Sequence, residues 1–284
     1  MSKENNEIIR LAKEGDKHSL ESLIILVQDR IYTLALKMLY QPADAEDATQ
    51  EILIKILTRL DSFNQVSSFS TWALKIASNH LLNKRKDFKR LQFTFKSCED
   101  MIIRDLPDQS TMLHFKADQE MVVTEMRISC MQGVLQCLDW DHRIVYILGE
   151  TMDVTSPEGA AILNIKPATF RKRLSRSRER IRDFLTRNCE LLDEVNPCKC
   201  VPQAMVAINN GFIDPDRLQF ANHPVIREKD LDTVNRIRIM DGLSRQATLM
   251  RNHPDYAAPD TFIEGIMKML DTGKFNKLRV ETVP

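Results

Sequence analysis

Two groups of side chains in this sequence are spaced to act on nucleic acid. Trp72, Lys75, Asn79, Asn83 and Lys86 follow one another at steps of three or four residues, so a helix turning about 100° per residue gathers them on one face. An indole stacks on an unpaired base, carboxamides bond base edges and ammonium groups neutralise phosphate, a set suited to separated DNA strands. The same tryptophan would equally serve to cap a core. Farther along, Thr169, Lys172, Arg176 and Arg180 share a face, with Arg173 beside them. A basic face of this kind enters a major groove, where arginine holds guanine through two hydrogen bonds. It would also suit an RNA or membrane surface. A third group, Asp44, Glu46, Asp47, Gln50 and Glu51, is acidic and offers a surface for a protein rather than for phosphate.

Helices are the elements that must carry these groups. Eight glycines and 6% aromatic residues disfavour a β-rich fold, because tight hairpins and pleated faces draw on those residue types. Leu20, Leu23, Ile24, Val27, Ile31, Leu34 and Met38 form one apolar stripe of helical period. Pro42 interrupts it, and a helix starting near Asp44 turns Ala48, Ile52, Ile56, Leu57 and Leu60 inward. Ser67, Ser68 and Ser70 supply the start of a helix over 69–89, whose inner arc is Phe69, Ala73, Leu74, Ile76, Ala77 and Leu81. Ser156 before Pro157 reads as a helix opening, with a turn at Asn164-Ile165 and a restart at Pro167. Phe170, Leu174, Ile181 and Leu185 then face inward on the second helix. A short helix followed closely by a basic one is the pattern of a helix-turn-helix.

At 284 residues the chain is too long for one ordinary core. The periodicity divides it into a helical domain over 1–92, a polar linker over 93–124, a helix-turn-helix domain over 125–187 and a mainly helical extension over 188–284. Leu231, Val234 and Ile237, then Phe262, Ile263, Ile266, Met267 and Leu270, give the extension two apolar stripes and suggest a small helical appendage. Forty basic and forty acidic residues cancel overall, so any pull on DNA comes from segregation. Lys84, Arg85, Lys86, Lys89 and Arg90 form one basic cluster, and Lys166 through Arg182 another. Either run alone also fits a solvated helix face. The first ten residues lack a signal-peptide stretch, and no window approaches the ~20 apolar residues of a membrane span. A cytoplasmic protein is expected, with its six cysteines kept as thiols. There is no glycine-rich phosphate loop, nucleophile elbow or His-Glu-x-x-His motif to support an enzyme.

The segment Asp44-Ala45-Glu46-Asp47-Ala48-Thr49-Gln50-Glu51, followed by Phe69-Ser70-Thr71-Trp72-Ala73-Leu74-Lys75-Ile76-Ala77-Ser78-Asn79, resembles the second conserved region of extracytoplasmic-function (ECF) sigma factors. Leu138 and Arg143, then Thr169, Arg173-Leu174-Ser175-Arg176 and Arg178, resemble the fourth region of the same family. The resemblance spans about residues 10–187. It implies an all-α protein of two small domains that binds the RNA polymerase core and promoter DNA, needs no cofactor or metal, and can be held by an anti-sigma protein. The acidic helix would face the polymerase clamp. Trp72, Lys75, Asn79, Asn83 and Lys86 would open the −10 element, Asn79 lying close to the family's reader of a flipped base. Thr169, Lys172, Arg173, Arg176 and Arg180 would read the −35 element, their domain touching the polymerase flap. The linker would thread toward the RNA exit path. One departure is Glu158-Gly159-Ala160 where the family usually has Glu-Ile-Ala, since glycine costs a helix interior roughly 1 kcal/mol against alanine. Another is the lack of an aromatic approach to that helix over 152–157. A conventional repressor with one helix-turn-helix is the competing class, although it has no need of the Trp72 helix. A pure interaction module is the third.

Asn196-Pro197-Cys198-Lys199-Cys200 and His253-Pro254-Asp255-Tyr256-Ala257-Ala258-Pro259 resemble tails carried by some members. Cys189, Cys198 and Cys200, with His223 or His253, have the chemistry of zinc ligands, and the thiols also that of a redox sensor, but Cys-x-Cys is tighter than the usual paired knuckle. Incidental buried thiols are the expectation, and the tail is expected to fold onto the two domains and regulate access to them.

Overall fold

The computed structural model describes residues 3–86, 93–104, 120–221, 225–227, 242–251, 254–259 and 261–271. They are almost wholly helical, as the composition predicts; the exception is an antiparallel ribbon of Val225–Arg227 (β1) against Asp255–Tyr256 (β2). The first body holds α1 (Lys3–Lys13), α2 (Lys17–Leu39), α3 (Pro42–Thr58) and α4 (Phe69–Asn83). Asp16 starts α2 by accepting the Ser19 amide at 2.8 Å, and Tyr40 ends it at φ 71°. Ser68 starts α4 by accepting the Thr71 amide at 3.1 Å. Such caps satisfy amides that the first turn of a helix leaves open. Between them Ile31, Tyr32, Leu34, Ile52, Leu53, Ala73, Ala77 and Leu81 are closed to solvent.

The segment read as a linker is not extended throughout. It contains α5 (Phe95–Arg104), capped by reciprocal bonds between Thr94 and Ser97. Phe95 lies against Phe184, ring centroids 5.4 Å apart, and Ile102 is buried. Residues 105–119 lie outside the described residues. The second body then consists of α6 (Glu120–Gln136), α7 (Trp140–Tyr146), α8 (Ser156–Leu163) and α9 (Pro167–Asn188). A π-helical turn, Ile147–Thr151, leads out of α7.

The extension supplies α10 (Cys200–Asn209), α11 (Gly242–Arg251) and α12 (Thr261–Asp271). It is no appendage. Met250, Tyr256, Phe262 and Ile266 are buried in the same apolar cluster as the first two bodies. Phe262 meets Tyr32 of α2 edge-on at 6.0 Å. Thr33 of α2 accepts the Tyr256 amide at 3.1 Å, and Asp29 accepts that of Ala258 at 2.8 Å. Lys37, fully buried, pairs with Asp255 at 3.2 Å. On the other body, the Glu125 carboxylate of α6 accepts the amides of Gln219, Phe220 and Ala221, while buried Glu150 pairs with Arg178 of α9 and Arg251 of α11. The tail therefore touches both bodies through satisfied polar groups. Leu231, Val234 and Ile237 lie outside the described residues.

Arg143 joins the bodies directly. Its guanidinium donates to the Met38 carbonyl at the end of α2 (2.7 Å), to the carbonyls of Gln136 and Leu138 (2.9 Å each) and to the Gln136 side chain. Gln136 in turn donates to the Lys37 carbonyl at 3.2 Å. Burial pulls the Arg143 guanidinium down to about 10, so it stays cationic at neutral pH. A planar fork aims five donors in fixed directions and so spans carbonyls on several segments better than the three donors of a compact ammonium. Arg143→Ala leaves those buried carbonyls unpaired and should lower stability by about 3–5 kcal/mol, and Arg143→Lys should restore little of it. Urea unfolding of the three proteins measures both effects.

Candidate nucleic-acid interface

On α4 the predicted inner arc is buried apart from half-buried Ile76, while Lys75, Asn79 and Asn83 are exposed. Trp72 is half-buried. Its ring tilts against Phe63 and Phe69, centroids 5.2 and 5.7 Å away, so it helps to close the core while remaining partly exposed. The Lys86 side chain lies outside the described residues. Around this helix sequence reasoning missed His80, which is buried and accepts from Lys55 of α3 at 2.5 Å through Nδ1. Its Nε2 faces Glu51 at 3.5 Å, and Glu51 bonds Lys84 at 2.8 Å. The Lys84 hydrogen bond lowers the Glu51 carboxyl, and Glu51 thus helps to tie α3 to the end of α4. Asp47 and Gln50 are exposed beside it, whereas Asp44 and Glu46 are half-buried.

The helix-turn-helix is built from α7, α8 and α9. The cap of α8 is Thr155, one residue before the predicted Ser156. Asn164 closes the helix in the left-handed region at φ 51°, a conformation that asparagine tolerates better than most residues. Phe170, Leu174, Ile181 and Leu185 are buried as their spacing predicts. Gly159 has a steric cause: a Cβ there would lie 2.3 Å from the Phe170 ring. The glycine lets α8 and α9 approach around that fully buried ring, and its helix cost is accepted for the packing.

Of the five predicted groove residues, Lys172 and Arg176 are exposed and Thr169 is half-exposed. Arg173 pairs with Asp141 of α7 at 3.2 Å and Arg180 with Asp139 at 3.6 Å. These two arginines orient α9 on α7 as well as presenting charge. The two bodies also meet where α4 packs along α8. Thr71 donates to Glu158 at 3.0 Å, and Arg85 lies 3.9 Å from Asp141.

Cys189 and Cys198 stand on a single parallel bridge, and burial pushes the Cys198 thiol up to about 12. Among the described residues no three His, Cys, Asp or Glu side chains converge as a metal would require; His223 and His253 lie outside them. No described helix is long and apolar enough to cross a membrane.

Burial first, then the charges of Lys55 and Lys84, lowers His80 from 6.5 to about 4. The folded protein therefore refuses a proton that the unfolded chain accepts below about 6.5. The stability due to the neutral ring is complete above that pH and drains away as pH falls toward 4. Urea midpoints should drop as pH falls from about 7 to about 5, through the ordinary histidine range, and His80→Gln should flatten part of that drop.

Residues 23–91 match the family model described as Sigma-70 region 2. The ECF RNA polymerase sigma factor SigW of Bacillus subtilis is 28% identical over 180 residues, which cover 62% of this chain and 94% of SigW. The RNA polymerase sigma-H factor of Pseudomonas aeruginosa is 24% identical over 63% of this chain and 92% of its own. A solved structure of the sigma factor RpoE with the anti-sigma factor NepR from Bartonella quintana aligns at 22% identity and TM-score 0.41. That alignment covers 57% of this chain and 94% of RpoE. Residues 23–91 thus carry a Sigma-70 region 2, the chain is similar to ECF RNA polymerase sigma factors over 62% of its length, and a C-terminal extension follows the two helical bodies.

Proposed function

We propose that this chain is a non-enzymatic sigma subunit that binds core RNA polymerase in the cytoplasm and directs it to promoters. The observation that carries the reading is that one chain holds two different DNA-suited helices, α4 with Lys75 and Asn79 outward and Trp72 partly exposed, and α9 with Lys172 and Arg176 outward. A simple repressor needs only the second. Thr169, Lys172, Arg173, Arg176 and Arg180 take the −35 duplex, where charge and bidentate hydrogen bonds read paired bases. Trp72, Lys75, Asn79, Asn83 and Lys86 act at the −10 element, where stacking and amide contacts hold bases as the strands part. The acidic α3 face of Asp44, Glu46, Asp47, Gln50 and Glu51 lies against the polymerase clamp, with the helix-turn-helix domain on the flap. The domain limits 1–92, 93–124, 125–187 and 188–284 then separate DNA opening, linker, duplex reading and regulation. An anti-sigma protein is a further partner of this reading.

The closeness of α4 and α8 gives the tail its role. Spread over two promoter elements, the bodies would have to separate, and the extension is bonded to both through Lys37, Thr33, Glu125 and Glu150. The docked form is thus a resting state that polymerase and promoter must open. Run-off transcription with core polymerase, beside duplex and forked-DNA binding, tests the division of labour. Lys172→Ala or Arg176→Ala should cost ~1–3 kcal/mol on duplex DNA wherever a base contact is lost. Trp72→Ala or Asn79→Ala should spare the duplex and slow strand opening. Equal losses in both assays, or no transcription from any promoter with the unaltered chain, would sink the reading.

A further inference from the structure

The helix α5 brings one thiol against another across the linker. Cys98 Sγ of α5 lies 3.5 Å from Cys137 Sγ, which follows the last turn of α6. Both residues are partly exposed. Neither thiol has a part in the DNA-binding reading. We propose that Cys98 and Cys137 are an oxidation site, at which hydrogen peroxide or a related hydroperoxide forms a disulfide that fastens the linker helix to the second body.

The two sulfurs must close from 3.5 Å to about 2.0 Å, a movement that two side-chain torsions can supply if the helices keep their spacing. α5 is held in register nearby by Phe95 on Phe184 and by Glu99, which pairs with Arg187 at 3.0 Å and accepts from Asn188 at 3.3 Å. The thiols are not equivalent. A hydrogen bond from Cys137, with a smaller one from Ser97, lowers Cys98 below an ordinary thiol against the opposing effects of burial and Glu99. Cys137, whose ionisation is opposed by the Cys98 partner and by burial, keeps its proton although Arg143 is near. Cys98 also stands in the first turns of α5, where the helix dipole favours an anion.

Roles follow from that difference. The Cys98 thiolate attacks one peroxide oxygen, the O–O bond breaks, and hydroxide leaves; sulfur is oxidised to a sulfenic acid as the peroxide is reduced. The Cys137 sulfur then attacks Cys98, and its proton leaves with the displaced hydroxyl as water. Two thiols and one peroxide become one disulfide and two waters. A small dithiol reverses the bond by exchange.

The bridge would tie α5 beside Arg143, where the two bodies meet. Under the sigma reading, on which this second step rests, the linker must leave that position to enter polymerase, so oxidation should weaken core binding.

The full-length chain is treated with hydrogen peroxide and digested without reduction for peptide mass spectrometry. The expected result is one joined pair, Cys98 with Cys137, which dithiothreitol releases and which Cys98→Ser and Cys137→Ser each abolish. Peroxide that leaves both thiols free, or that joins Cys98 to a different cysteine, overturns the site; the unaltered chain alone can give that answer. Core polymerase affinity is then measured before oxidation, after it, and after dithiothreitol. A reversible loss of roughly tenfold, absent in Cys98→Ser, supports the regulatory step, and an unchanged affinity of the disulfide form refutes it. If the reduced chain fails to bind polymerase, the sigma reading falls and the thiol pair is still decided by the peptides.

Discussion

The arrangement of this protein depends on one buried cation. Arg143 is 5% exposed and donates to carbonyls at Met38, Gln136 and Leu138, so the end of α2 and the α6–α7 corner are held at a set distance. Apolar contact alone would bring the bodies together without choosing among sliding registers, because dispersion and the hydrophobic effect have little direction. Charge-assisted hydrogen bonds from a rigid fork have direction. Trp140 adds a ring face 5.4 Å from the guanidinium centre, a favourable site for a partly desolvated cation. With that junction set, the packing of α4 on α8 and the position of α5 follow.

The extension uses the same device several times. Glu125 collects three successive amides, Glu150 collects two arginines, and Lys37 reaches Asp255. Burying these groups without partners would cost more than their apolar stems return. The tail is therefore specified by what it bonds, and Tyr256 and Phe262 fill the space those bonds define. Such a latch is selective without being permanent, since each pair can exchange its partner for water when it opens.

Local rules in the sequence accounted for the helices of the two bodies. Leu174 and Ile181 sit where a 3.6-residue period puts them, and Asn164 ends α8 where its side chain suggested. What escaped were facts about neighbours. The apolar side of α5 has only Phe95, Cys98 and Ile102 to offer, too short a stripe to stand out from a polar segment. The stripe Phe262, Ile266 and Leu270 announced a helix but could not say that α2 covers it. Glu125 and Glu150 look like ordinary solvated acids until the amides and arginines around them are seen. Trp72 packs on Phe63 and Phe69 as a core cap would and still stays partly exposed, because a large side chain can be half in each environment. His80 carried no periodic signal at all, and its neutrality arises first from burial and then from the charges of Lys55 and Lys84.

The contacts between the bodies differ in kind, and that difference sets how the closed form would open. Thr71–Glu158 and Arg85–Asp141 lie at the solvent edge, where such pairs contribute ~0–1 kcal/mol each and water replaces them readily. Arg143 and Gln136 lie inside, and their bonds to α2 cannot be loosened one at a time without stranding a buried group. Opening is then a concerted event with a threshold. A partner can drive it only by binding the separated bodies more tightly than the joined ones, and moving such an equilibrium almost completely takes about 5 kcal/mol of differential affinity. A large protein surface acting together with promoter DNA can supply that difference; duplex DNA meeting α9 alone already finds Lys172 and Arg176 exposed in the closed form, so it gains little by separating the bodies.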